Sequence, residues 1–151
     1  MNDVYLDKAN PHVWKALNSV ALHVRRATDA AGVPRSVVEL MDVRASQING
    51  CAYCLDVHVH QALKAGVTAQ RLAVLSAWRD TSLFSALERA ALLIVEAVTN
   101  LPNVEERSAE IARARDLLTD AQYSALTWAA IAINAFNRVS ILSRHPVQPR
   151  H

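Results

Sequence analysis

Asn49-Gly50-Cys51-Ala52-Tyr53-Cys54-Leu55-Asp56-Val57-His58 is the stretch that decides how this chain is read. It holds both cysteines of the protein, separated by two residues, and a histidine four positions beyond the second. On a helix, positions i, i+3 and i+7 fall on one face, so Cys51, Cys54 and His58 would stand in one column. Helical neighbours three apart are roughly 5–6 Å from each other, within the range a disulfide accepts. Asn49-Gly50 is a break signal just ahead, which makes a helix start here natural. A thiol in the first turn of such a helix feels the positive end of the dipole, which draws its pKa below the free value of about 8.5. Redox chemistry is the first hypothesis this stretch raises.

The rest of the chain surrounds that stretch with helices. Of 151 residues, 52% are hydrophobic and only 5% aromatic, with 3 glycines and 5 prolines. That composition favours helix packing over a turn-rich sandwich, and the length suits one domain with a core of its own. Val13, Leu17, Val20 and Val24 mark a first helix from Asp7 to Ala31, with Trp14 and Ala21 widening its stripe. Gly32 and Pro34 then punctuate the chain. A second helix runs from Pro34 to about Ile48, and the cysteine helix ends near Gly66. Thr68 caps a fourth, with Leu72, Leu75 and Trp78 inward. Ser85 with Glu88 forms a capping box for a fifth, which faces inward with Leu87, Ala91, Ile94 and Val98 and stops before Leu101-Pro102. Glu105 to Leu118 is a more polar sixth. Thr119 with Gln122 opens a long last helix to about Ser143, and 144–151 is a tail. No strand-like alternation, internal repeat or linker stands out. The expectation is an all-α, single-domain bundle of about seven helices spanning 1–151.

The last helix is apolar on nearly all sides, from Leu126 through Trp128, Ile131 and Phe136 to Ile141, which predicts a central or interface position and points to an oligomer. Asn134, Asn137 and Arg138 interrupt its most apolar part, so a membrane span is not expected. The net charge of +2 gives no electrostatic case for nucleic acid. Met1 to Asn10 lack an apolar signal core, so a soluble, cytoplasmic protein is expected. In that compartment a close cysteine pair is more often catalytic or metal-binding than a structural bridge.

Several chemistries compete for the pair. The cysteines could be small buried apolar side chains. Zinc would need a closed set, but His60 faces away from the Cys51–Cys54–His58 column and no second ligand pair occurs. Leu55 stands where a c-type haem motif needs histidine. An imidazole four residues from a thiol, by contrast, can take its proton. Glu39, in turn, has an alternative as the i+4 ion-pair partner of Arg35. His58 has one as a core histidine satisfied by a backbone carbonyl. Tyr53 reads as packing, Glu88 as a cap residue, Asn134, Asn137 and Arg138 as structural, and Trp78 and Trp128 as core or interface.

A wider pattern separates these readings. Glu39, eleven residues, Cys51-Ala52-Tyr53-Cys54, three residues and His58 resembles the active-site pattern of the alkyl hydroperoxidase D-like family, within the carboxymuconolactone decarboxylase-like superfamily. Ala77-Trp78-Arg79, Glu88 to Leu92 and Asn134 to Arg138 extend the similarity over roughly Met41 to Ser143. The resemblance implies a helical fold in homo-oligomers, often trimers or hexamers, and thiol-dependent peroxidase activity. By position, Cys54 would attack the peroxide, Cys51 would resolve, and His58 with Glu39 would relay the proton. A lipoyl-bearing or thioredoxin-like dithiol protein would return the electrons. Tyr53 stands where the best-known members carry a second histidine, and its phenol is a poor base at neutral pH. No flavin or nicotinamide fingerprint occurs, so no cofactor is expected. Two other functions remain in view: a non-catalytic thiol sensor or assembly module, and a lactone decarboxylase, as in superfamily branches that lack the cysteine pair.

Overall fold

The computed structural model describes residues 3–150, so Met1, Asn2 and His151, which belong to the expected polar start and tail, lie outside the described residues. Among the described residues the chain forms eight α-helices, a 3-10 segment at Leu75–Asp80 and no strand. The helices are α1 (Leu6–Ala9), α2 (Pro11–Ala30), α3 (Arg35–Asn49), α4 (Ala52–Lys64), α5 (Ala69–Ala73), α6 (Ala86–Asn100), α7 (Val104–Arg115) and α8 (Asp120–Leu142). The all-α expectation holds, with two differences in count. Asn10-Pro11 breaks the expected first helix, because proline bars its predecessor from the helical region and Asn10 sits at φ −130°, ψ 73°. The expected fourth helix divides after Ala73, and its second half tightens to 3-10 geometry around the non-helical Ala77.

Helix α3 is the hub, packed against α4, α6 and α8. Val37, Val38, Leu40, Met41, Val43 and Ala45 are all buried, so it presents apolar surface on several sides. From α6 come Ala91, Leu92, Ile94 and Val95, and from α8 Leu126, Ala130 and Ile133. Each such side chain taken from water contributes about 1.5–3 kcal/mol for the larger ones. Both predicted capping boxes are present, Ser85 with Glu88 and Thr119 with Gln122.

Polar groups tie α8 to the hub. Asn137, with no exposed surface, accepts from Asn49 Nδ2 at 2.9 Å and donates to Ser46 Oγ at 3.1 Å. Asn134 donates to Thr99 Oγ1 on α6 at 3.0 Å and accepts from the same Asn49 amide. Although α8 is long and apolar enough by composition to cross a bilayer, these cross-helix bonds and its buried inner face make it the strut of the bundle. Its opposite side is bare: Trp128 is 54% and Ile131 44% exposed. The stripe expected on the first helix is only partly covered: Val13 is 68% and Val20 41% exposed, Leu17 and Val24 are half-buried, and only Thr28 of α2 is buried. Trp78 is core, as expected, and Trp128 is surface.

Candidate active site at the cysteine pair

The turn between α3 and α4 sets the cysteines. Gly50 takes the left-handed conformation (φ 69°), and the N–H of Cys51 closes back on the Ser46 carbonyl at 3.0 Å, a Schellman stop. The chain leaves that stop directly into α4. Cys51 is therefore not on the helix, as the column read from sequence required, but is its N-cap, in extended conformation (φ −86°, ψ 95°). The reason is that the stop at Gly50 leaves only one residue before the helix begins, so the first thiol has to do the capping. Its Sγ accepts from the N–H of Cys54 at 3.3 Å. Cys54 is inside the first turn, and the two sulfurs are bonded as a disulfide with Cα atoms 5.3 Å apart.

Cys51 and Cys54 are 2% and 4% exposed, but they are not equivalent. Cys54 lines a cleft of about 480 Å³ that also reaches His58, and Cys51 does not line it. Trp14, Val57 and Phe136 give the cleft apolar walls. Its roof comes from the two end segments of the chain, Tyr5, Asp7 and Lys8 on one side and His145, Pro146 and Gln148 on the other. His145 holds that roof together. Its Nε2 meets Asp7 Oδ1 at 3.1 Å and its Nδ1 meets Ser140 Oγ at 3.2 Å, while its ring packs between Tyr5 and Tyr53. Arg150 reaches α4 at Asp56, 2.8 Å away. Tyr53, 40% exposed, lines the cleft and lies against His145.

Behind the disulfide lies a buried charged cluster. His58 Nδ1 is 2.8 Å from Glu39 Oε2, so the histidine is held by a side chain and not by a backbone carbonyl. Glu39 has no exposed surface and forms an ion pair with Arg35 as well. Glu39 therefore contacts both partners considered from the sequence, His58 and Arg35, from a fully buried position. Asp42, which the sequence reading passed over, is the third member, with Oδ2 3.4 Å from His58 Nδ1. It stands one turn beyond Glu39 on α3, and that i, i+3 acid pair was the available signal.

The electrostatics follow from the geometry. Burial pushes the Asp42 carboxyl up from 3.8 to about 7, against the pull of His58, with Glu39 adding to the rise and Arg35 opposing it. Burial also works to lower His58, but Asp42 and then the hydrogen bond and charge of Glu39 outweigh it, and the ring is raised above its ordinary 6.5. The donor atoms of Glu39, Asp42 and His58 lie within 4.8 Å of one another. Arg35 supplies positive charge beside this set through its ion pair with Glu39. Chemically, the arrangement offers a basic imidazole oriented by carboxylates and a dithiol pair with one sulfur at a cleft.

The comparisons agree with this architecture. The sequence model of the carboxymuconolactone decarboxylase family matches residues 11–97. The uncharacterized protein YdfG of Bacillus subtilis (strain 168) is 34% identical over 122 residues, 81% of this chain and 83% of its own. The crystal structure of a protein of unknown function from Agrobacterium tumefaciens, a candidate antioxidant defence protein AhpD, covers 98% of this chain and 100% of its own at 31% identity and a TM-score of 0.85. The resemblance drawn from Glu39, the cysteine pair and His58 is thereby upheld at the level of family and fold. This chain belongs to the carboxymuconolactone decarboxylase family, in its alkyl hydroperoxidase D-like branch.

Proposed function

We infer that the protein is a thiol peroxidase that reduces a hydroperoxide at Cys54. The observation that supports this best is that the cleft reaching Cys54 also reaches His58, whose other ring nitrogen is oriented by Glu39. His58 takes the Cys54 proton. The thiolate attacks the peroxide, an S–O bond forms, the O–O bond breaks, and the leaving alkoxide takes the proton back from His58. Cys51 then attacks the sulfenic sulfur, water leaves, and the disulfide is the oxidised product.

The position of Cys51 suits the return half of the cycle. A dithiol reductant, lipoyl-bearing or thioredoxin-like, would attack Cys54 Sγ from the cleft and expel Cys51. The expelled thiolate would receive the Cys54 N–H and sit at the positive end of α4, which makes it a good leaving group. The bare faces of α2 and α8 are where copies of the chain would associate, in a cytoplasmic homo-oligomer of the trimer or hexamer kind. A cysteine pair with Cys54 at the cleft favours redox chemistry over lactone decarboxylation.

The test is peroxide consumption with dihydrolipoamide as reductant. Cys54→Ser should abolish turnover, and undiminished turnover would remove the reading. A non-catalytic sensor is favoured by one observation, that Tyr53 offers no base between the cysteines. Counting thiols against peroxide dose separates the two, because a sensor reacts once per chain and stops.

A further inference from the structure

The two carboxylates beside His58 are not alike. Glu39 faces Arg35, a cation that does not titrate, so its charge is balanced permanently. Asp42 has no such dedicated partner. The charged groups around it are His58 from α4, Glu39 and Arg35 from its own helix, and Arg25, which lines the same cavity from α2. From α8 that cavity is met only by Ala129, Ala132, Ile133 and Phe136. Burial with incomplete compensation is what lifts this carboxyl to about 7, close to the range in which an imidazole exchanges protons.

Its location matters as much. A cavity of about 280 Å³ lies between α2, α3 and α8, and both Asp42 and His58 line it. Cys54 does not; it lines the cleft under the chain ends. His58 and Phe136 line both spaces, and of the two only His58 carries a titratable group. Its Nδ1 is turned to the two carboxylates, which leaves Nε2 for a proton arriving from the Cys54 side.

We propose that Asp42 is the proton store of this site: as Nε2 of His58 takes the Cys54 proton, the Nδ1 proton crosses to Asp42 Oδ2, and Asp42 exchanges with solvent through the α2–α3–α8 cavity instead of the substrate cleft. The step balances. Cys54 loses one proton, the imidazole changes tautomer and stays neutral, and Asp42 becomes a neutral acid. When a leaving oxygen takes the Nε2 proton, Asp42 returns its own to Nδ1. In a serine-hydrolase triad the carboxylate stays ionised throughout. Here the carboxyl is buried enough to hold the proton. The 3.4 Å separation needs to close by only about 0.5 Å to reach hydrogen-bond length. This rests on the reading of Cys54 as the thiol that ionises. Because Asp42 acts through His58, it is a positioning and proton-holding residue, not one that touches substrate.

The experiment is infrared spectroscopy of the reduced protein as pH is raised, with Asp42→Asn as the assignment control. A protonated-carboxyl stretch that is missing in the variant should be present in mild acid and vanish with a midpoint near 7. Alkylation of reduced Cys54 by iodoacetamide should slow about tenfold in Asp42→Asn at and just above neutral pH, where the wild-type carboxylate is free to take the proton, one unit of apparent thiol pKa, and recover in Asp42→Glu. A wild-type protein with no such band in mild acid would overturn the proposal, and so would an alkylation profile that the variant leaves unchanged. If Asp42→Asn does not fold, Asp42→Glu serves as the assignment control, because it should shift the frequency of an Asp42 band and leave those of the other buried acids in place. Neither readout uses peroxide. A band and a slowed alkylation in a protein that consumes no peroxide would keep the proton store and discard the peroxidase.

Discussion

Glu39→Gln is the substitution that bears most directly on the site. It keeps the shape of the side chain and removes one buried charge. The hydrogen bond to His58 is 2.8 Å long and joins a side chain with no exposure to one 19% exposed. A bond of that kind to a charged group contributes about 1.5–3 kcal/mol. The ion pair to Arg35 adds less than about 1 kcal/mol, because Arg35 is 40% exposed and water screens it. Removing a buried charge recovers part of its desolvation cost, so the expected net loss is about 1–3 kcal/mol. For a chain of this size that lowers the melting temperature by roughly 3–10 °C. The chemical effect is separate. Glu39 supplies part of what raises His58, so the variant ring becomes a weaker base and is held less firmly. If His58 deprotonates Cys54, alkylation of the reduced thiol near neutral pH should fall by about tenfold to a hundredfold, within the usual scale of general-base effects. Thermal unfolding and iodoacetamide kinetics across pH measure the two parts. A variant with lowered stability and an alkylation profile superimposable on the wild type would show that Glu39 only braces the fold.

Other outcomes follow from the same geometry. Asn137→Leu should cost about 2–3 kcal/mol in urea unfolding, since it leaves Asn49 and Ser46 without their buried partner, and unchanged stability would mean the network carries none. Stability should decline as pH rises from about 4 past 7. Asp42, raised from 3.8 to about 7, binds its proton more tightly folded than unfolded across that window, and the raised His58 loses its contribution as pH climbs through its folded value, each by at most about 1.4 kcal/mol per pH unit. Glu96 has the opposite sign: burial would raise it, but hydrogen bonds from Trp78, Arg44 and Arg79 hold it below 4.5, so its stabilisation is lost as pH falls further. Urea midpoints should therefore peak in mild acid, and a peak above pH 8 would contradict this assignment. Trp128→Glu should shift the chain toward monomer in size-exclusion chromatography with its melting profile little changed, and an unaltered elution volume would place the contact elsewhere.

How much of this was legible beforehand depended on the range of the signal. Capping boxes, the stop before Leu101-Pro102 and the core face of α6 are local patterns, and they were read correctly. The break at Asn10-Pro11 was local too, but the apolar period running across it hid it. The stripe on α2 marked the helix but not its partial exposure, because periodicity reports a face and not what covers it. Glu39 and His58 came from a long spaced pattern, and the fold does bring them to 2.8 Å. Asp42 and His145 were missed for different reasons. Asp42 stands at i+3 from Glu39, but its character comes from burial, which spacing does not report. His145 reaches the cleft only because the chain folds back after α8, which no spacing encodes.

The roof over Cys54 is made from residues that precede α2 or follow α8, and none of Tyr5, Asp7, Lys8, Pro146 or Gln148 belongs to the packed interior. Segments of that sort tolerate altered length and sequence at little thermodynamic expense. The two sulfurs sit at the start of α4, which packs on the hub helix α3, whereas the doorway is hung on the periphery. Descendants of such a chain can be retuned toward bulkier or more polar visitors by editing the doorway alone, with the reactive sulfur and its proton machinery inherited intact.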